Sequence, residues 1–274
     1  MSRMHTRYSM AAEVYDLLYA WKDYAAESRR LLGLLRGRFR PPGRRLLEVA
    51  CGTGRYLEHF KDRFEVAGMD LEPGMLRVAR RRLPGVALSC ADMRDFDLGH
   101  RFDVVLCLFS SIGYMRNRGE LCSAIRSMAA HLAPGGILVV EPWLRRQIFR
   151  PRTVHSSLEK SEAVHVSRMV VSRRRGFTSV MDMHHLVGTP DGVRHFVEHH
   201  ELWMAPDAEY RAAFAAAGLT ASRDPGGLTG RGLWIALRPP DRPSRARGSP
   251  FSSGRTRRTS RTHGRAGPGR SRSG

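Results

Sequence analysis

Lysine is almost missing from this 274-residue chain: of 46 basic residues, only Lys22, Lys61 and Lys160 are lysine. Arginine in place of lysine, beside much alanine, glycine and proline, points to a GC-rich coding sequence. The net charge of +20 is therefore a weak sign of nucleic-acid binding. No apolar run is long enough to span a bilayer, and the opening MSRMHTRYSMAAEVYD lacks the apolar core of a signal peptide. A soluble, cytoplasmic protein without membrane contact is expected. Four cysteines (Cys51, Cys90, Cys107 and Cys122) form no CxxC and no Cys/His set with metal spacing, which predicts reduced thiols. The histidines His184, His185, His195, His199 and His200 are dense, but His195-Phe-Val-Glu-His199 is not HExxH and reads as strand, so no metal is expected.

The last stretch, 239–274, lacks almost everything a core needs. It is built of Arg, Ser, Gly, Pro and Thr with a single Phe251, and disorder is expected there. Ten arginines and one aspartate give it +9 of the net charge, and the rest of the chain carries +11. That balance suits an anionic small molecule. An RNA-binding or RNA-modifying reading has little support, because the tail has no interleaved aromatics and Ser110-Ser111 stands where a base-flipping enzyme would carry an NPPY-like motif.

What is present reads as alternating strands and helices. Two helical segments occupy 10–38, the second stopped by Pro41-Pro42-Gly43. Strands are expected at 46–50, 64–70, 86–90, 103–109 and 137–143, with helices near 56–63, 73–83 and 119–132 between them. Apolar strands with helical crossovers mean an α/β fold, a parallel sheet covered by helices on both faces. From 144 to 204 the texture changes to three strands joined by turns, an antiparallel meander inserted as a lid or substrate platform. A helix at 208–218 and a strand at 232–238 then return to the sheet. The expected organisation is a helical cap (1–40), a core (41–143), the insertion (144–204), the returning elements (205–238) and the tail.

The turn Cys51-Gly52-Thr53-Gly54 follows the first strand and opens a helix. Glycine there lets backbone approach a ligand closely. A P-loop would need GK[ST], and Arg55-Tyr56 follow instead. A dinucleotide loop would need a third glycine, which is missing. S-adenosylmethionine (SAM) remains, since its adenosyl and methionine parts carry no phosphate. Asp70 ends the second strand about 20 residues past the loop, where an acid takes ribose hydroxyls. Ala91-Asp92-Met93 follow the third strand, where a carboxylate and the next backbone N–H suit adenine.

With AEVYD, KDYAAE, LLEVACGTG, ADMRDF, FSSIGYM, HLAPGG, VVEPW, FAAAG and GRGLW, the chain resembles the class I SAM-dependent methyltransferases with their Rossmann-like sheet. It resembles most the N,N-dimethyltransferases of nucleotide-linked amino sugars, over 8–238. That resemblance implies transfer of methyl from SAM to the amine of a dTDP-linked deoxyaminosugar in secondary metabolism; another small-molecule or glycosylated acceptor is the alternative. It implies that Tyr15 and Tyr24 close over the methionine end, Ala50 and Gly52 lie along it, Asp70 holds the ribose, Asp92 and Met93 hold the adenine, and Leu108 contacts the sulfonium region. Tyr8 and Tyr114 would flank the reacting amine, with Tyr114 standing where relatives commonly carry His. A tyrosine, with an ordinary pKa of about 10, is a poor base near neutral pH. Glu141 and Trp143 would orient and wall the sugar, and Arg231, between two glycines, would contact the diphosphate. A homodimer is consistent with the resemblance.

Overall fold

A computed structural model describes residues 12–39 and 41–241; Tyr8 and the stretch 242–274 lie outside them. The central sheet holds β1 (Arg45–Val49), β2 (Glu65–Asp70), β3 (Ala87–Cys90), β4 (Phe102–Cys107) and β5 (Leu132–Val140), with β10 (Thr220–Asp224) and β11 (Leu233–Leu237). Their order is β3-β2-β1-β4-β5-β11-β10. The first five are parallel, while β11 runs antiparallel to β5 and β10 antiparallel to β11. The order reverses at β1, which pairs with both β2 and β4; a crevice forms at the carboxyl ends of strands at such a switch point.

Strand alternation assigns the two helical layers. Leu47 and Val49 of β1 join Val105, Cys107, Leu138 and Val140 on one face, under α5 (Arg118–Ala130) and α6 (Asp207–Ala216). Leu46 joins Val104, Leu106, Ile137 and Val139 on the other, under α2 (Tyr24–Leu34), α3 (Arg55–Phe60) and α4 (Pro73–Arg82). Both faces are closed by apolar side chains, so the strands read as continuous hydrophobic runs.

The insertion is a sheet of four strands, not three: β6 (Thr153–Lys160), β7 (His165–Arg175), β8 (Thr178–Thr189) and β9 (Gly192–Trp203), all antiparallel neighbours. The sequence hides β6 because Thr-Val-His-Ser-Ser-Leu-Glu-Lys lies at an edge, largely exposed, and carries no continuous apolar pattern. The edge strand β10 escapes notice for the same reason. The Ala-Pro-Gly-Gly stretch belongs to β5 and makes the register irregularity against β4, so it interrupts a strand ladder and does not only end a helix. The inner face of the insertion buries Val166, Val187 and Phe196 against Val14 and Leu18 of the segment around α1 (Tyr15–Leu18). The N-terminal helix is thereby wedged between the two sheets.

Phe214 of α6 is fully buried beside Trp234 of β11, ring centroids 5.8 Å apart. Phe214→Ala removes that packing and leaves a cavity, so denaturant unfolding should show a loss of about 3–5 kcal/mol.

Candidate active site

A cavity of about 290 Å³ lies at the carboxyl ends of β1, β2 and β3. Tyr15, Ala50, Gly52, Asp70, Asp92 and Met93 line it, and Tyr114 lines it from the other side. Seven residues expected from sequence are thus brought to one cavity. The two loop glycines differ in role. A Cβ on Gly54 would stand 2.8 Å from Leu83 Cδ1, so Gly54 serves helix packing. A Cβ on Gly52 would meet nothing within 4 Å; its φ of +54° needs glycine, and it faces open space.

Hydrogen bonds fix this loop from several directions. Cys51 N–H donates to Met69 O at 2.9 Å. Gly52 N–H donates to Asp70 Oδ2 at 2.8 Å, and Glu72 N–H to Asp70 Oδ1 at 2.9 Å. The Thr53 hydroxyl donates to Asp16 Oδ1 at 2.7 Å, and Arg82 donates to Thr53 O. Asp70 therefore both walls the cavity and locks the end of β2 to the turn after β1. Burial raises its pKa, and the N–H groups of Glu72 and Gly52 pull it back. Ala50 and Gly52, both left-handed, flank Cys51, and at Ala50, which has a Cβ, that geometry is a strain these bonds sustain.

The cavity wall is acidic in a basic chain. Asp70, Glu72, Asp92, Glu120 and Glu201 line it against Arg94 and Arg116. Both arginines are neutralised, Arg94 by Asp92 and Glu120, and Arg116 by Glu120. An acidic wall suits a cationic sulfonium and repels a pyrophosphate. The residues present thus fit SAM, in which Asp70 would hold the ribose, Asp92 and Met93 the adenine, and Gly52 would lie beside the methionine chain. Burial works to raise the Asp92 pKa, but the Arg94 hydrogen bonds outweigh it and leave the carboxyl low and charged.

Tyr24 and the side chain of Leu108 lie in the core, the expected contact of Leu108 being one of its backbone. Tyr24 is buried with its ring edge-on to Tyr56 at 4.9 Å. The Lys22 ammonium stands 5.1 Å from its centroid and ion-pairs with Glu27, which also accepts from the Tyr56 hydroxyl. Leu108 is buried in the same cluster, and its carbonyl accepts from Ser111 N–H at 3.3 Å. A ring and an apolar side chain at these places gain more from packing than from facing a wet cavity.

Beyond β4 the chain makes an unusual turn: Phe109 and Ser110 are both left-handed, at φ 51° and 65°. Glu141 holds this turn. Its Oε2 accepts from Phe109 N–H at 2.8 Å and its Oε1 from the Thr229 hydroxyl at 2.7 Å. Fully buried, Glu141 faces these partners and not the cavity, which corrects the expectation that it orients a sugar. Burial raises its pKa, opposed by the Thr229 hydrogen bond and the Arg231 charge. Ser110 Oγ donates to Pro142 O at 2.8 Å and accepts from Arg231 Nη1 at 3.0 Å. The Arg231 guanidinium lies 5.0 Å from the Trp143 ring centroid and 5.7 Å from that of Phe109. Trp143 in turn donates from Nε1 to Ser179 Oγ on β8 at 2.8 Å. Trp143 and Arg231 thus form a cation–aromatic cluster, tied through Ser110 to the 3-10 turn Ser111–Tyr114 whose last residue lines the cavity.

Sequence reasoning placed no partner at Tyr114. Its hydroxyl lies 2.8 Å from Nδ1 of His200 on β9. The Glu198 carboxylate sits 3.6 Å from His200 Nε2 and 3.1 Å from His185 Nε2, all three side chains being buried. The only signal was a dense histidine stretch, and the alternation Glu198, His200 on one strand face was its readable part.

Glu48 is buried beneath the loop, and its pKa is raised well above the carboxylate norm by burial first and by the Asp70 charge second. The folded state then binds a proton more tightly than the unfolded one. Stability contributed at low pH is lost as pH rises from the ordinary Glu value toward the folded one. Glu48→Gln should flatten that decline and raise the melting temperature at pH 7 to 8 relative to wild type.

A methyltransferase domain family matches residues 46–136. A dTDP-3-amino-3,4,6-trideoxy-alpha-D-glucopyranose N,N-dimethyltransferase of Streptomyces venezuelae is 44% identical over 230 residues, 82% of this chain and 97% of that protein. A dTDP-4-amino-2,3,4,6-tetradeoxy-D-glucose N,N-dimethyltransferase of Saccharopolyspora spinosa is 40% identical over 230 residues, 83% and 92% of the two chains. Among solved structures, SAM-bound CalS10 of Micromonospora echinaspora, an amino pentose methyltransferase, superimposes with a TM-score of 0.74 at 43% identity, covering 82% of this chain and 96% of that one. The family, the fold and the cavity agree: the chain is a SAM-dependent methyltransferase of class I fold and belongs to the family of the sugar N,N-dimethyltransferases.

Proposed function

We propose that this enzyme methylates the amino group of a dTDP-linked deoxyaminosugar in secondary metabolism, as a cytoplasmic protein. One observation carries the reading: the Arg231 guanidinium, beside the Trp143 and Phe109 rings, bonds Ser110 Oγ, and the turn after Ser110 presents Tyr114 at the cavity. A ligand with an anionic diphosphate at one end and an amine at the other matches that pair of sites. Bound SAM supplies an electrophilic methyl group. The protein's part is alignment and desolvation: Tyr15 and Tyr114 wall the reacting region, and the buried turn keeps water out. The attacking amine must be neutral, so a proton leaves each time a new N–C bond forms and a C–S bond breaks.

Mass spectrometry of reactions with SAM and dTDP-3-amino- and dTDP-4-amino-deoxysugars should show one or two added methyl masses on a nucleotide sugar. Transfer only to an already glycosylated product would overturn the diphosphate assignment. Arg231→Ala should raise the KM for the nucleotide sugar about 10- to 100-fold, the worth of a charged hydrogen-bonding contact, and leave SAM affinity unchanged in calorimetry.

The outer face of the four-stranded sheet supports a dimer. Val154, Leu158, Met169, Leu186 and Val197 are exposed, and strand pairing puts them on one side. Ser167 and His184 stand between these apolar side chains, and a second copy of the chain would cover the mixed face symmetrically. Light scattering should give twice the chain mass, and Leu158→Arg should return the monomer.

A further inference from the structure

We propose that His200 is the proton acceptor behind Tyr114, so that the tyrosine hydroxyl passes the substrate's proton to a buried imidazole. The inference rests on the amine substrate proposed above. Tyr114 alone is a weak base, because an ordinary phenol is protonated at neutral pH. Its 2.8 Å contact with His200 Nδ1 changes what it can do.

Two hydrogen-bond patterns are open to the pair. With Nε2 of His200 protonated toward Glu198, Nδ1 is an acceptor and the Tyr114 O–H must donate to it. The lone pairs of the tyrosine oxygen then serve the cavity that Tyr114 lines, where they accept an N–H of the substrate ammonium. With both ring nitrogens protonated, Nδ1–H donates to Tyr114, whose own proton must turn elsewhere. A phenol donating into the cavity would tie up the amine lone pair that has to attack. The neutral imidazole is therefore the competent state.

The step balances. One N–H proton moves from the substrate ammonium to Tyr114 Oη as the phenolic proton moves to His200 Nδ1. The amine becomes neutral, Tyr114 is unchanged, and His200 becomes a cation facing the Glu198 carboxylate. The amine then takes the methyl group and is again an ammonium, and the imidazolium loses its proton to solvent before a second transfer. Glu198 is suited to support that cation. Burial would raise its pKa, but His185 and His200 more than offset this and hold it low. The other titratable and charged groups facing the pair include His185 on β8, Arg168 on β7, and Tyr15 and Tyr19 at α1. Arg168 pairs with His185 across β7 and β8, so it shares their face, and its guanidinium lies 5.2 Å from the Tyr19 ring centroid.

The test uses the full chain. His200→Asn keeps a side-chain oxygen near the Nδ1 position but cannot take a proton at neutral pH. It should lower kcat/KM about 100-fold at neutral pH, the usual scale for a lost general base, with SAM affinity unchanged. In His200→Asn the acid-side fall of kcat/KM should move up to the pKa of the amine itself, away from its wild-type position. Tyr114→Phe should match that loss, and the double variant should be no worse than either. A His200→Asn enzyme with the wild-type pH profile would overturn the proposal. Nitrogen-15 NMR of the wild-type histidines needs no substrate and decides independently. Neutral His200 with its proton on Nε2 is expected at neutral pH, and a proton on Nδ1 would overturn it. Failure of the wild type to methylate any amine would instead sink the substrate reading, and the NMR result would still decide the proton state of the pair.

Discussion

The buried carboxylate of Glu141 ties together three segments that the chain keeps far apart. It leaves the end of β5, holds the Phe109 N–H just past β4, and holds the Thr229 hydroxyl two residues before Arg231. Two consecutive non-glycine residues in left-handed geometry cost about 1–3 kcal/mol each. Two hydrogen bonds to a charged group contribute about 1.5–3 kcal/mol each, so the clamp and the strain nearly cancel. The result is a rigid turn whose Ser110 hydroxyl meets Arg231 and whose following residues present Tyr114. If the clamp were lost, the cation–aromatic cluster and the cavity wall would no longer share one support.

Charge is sorted inside this molecule against its own average. A chain with 46 basic and 26 acidic residues lines its cavity with five carboxylates and two arginines that are already paired. Arg231 stands apart from that cavity, its guanidinium near the Trp143 and Phe109 rings and its charge felt by Glu141. A reaction that keeps one positive charge near sulfur and nitrogen while the substrate's phosphates stay outside is served by this separation. The four-stranded insertion contributes to both parts, through Ser179 under Trp143 and His200 behind Tyr114.

Much of the site was legible because its residues sit at the ends of strands whose order the apolar runs betray. Gly52, Asp70, Asp92 and Met93 follow three successive strands, and strand ends converge in a parallel sheet. Direction was not legible. Glu141 is also at a strand end, yet its side chain points back into the fold, and nothing in Val-Val-Glu-Pro-Trp says so. Tyr24 shares that fate: residue type fits a ligand contact, and only packing against Tyr56 reveals a core role. The pairing of Tyr114 with His200 joins positions 86 residues apart through the register of an inserted sheet. Polar edge strands such as β6 and β10 leave no apolar periodicity to read.

The most direct measurement is a crystal structure with S-adenosylhomocysteine and a dTDP-aminosugar bound together. The account predicts the diphosphate against Arg231, the ribose of the cofactor product at Asp70, and the sugar amine beside Tyr114, within about 3–3.5 Å of where the transferred methyl would stand. A nucleotide lying elsewhere on the surface, with the sugar amine away from Tyr114, would contradict it.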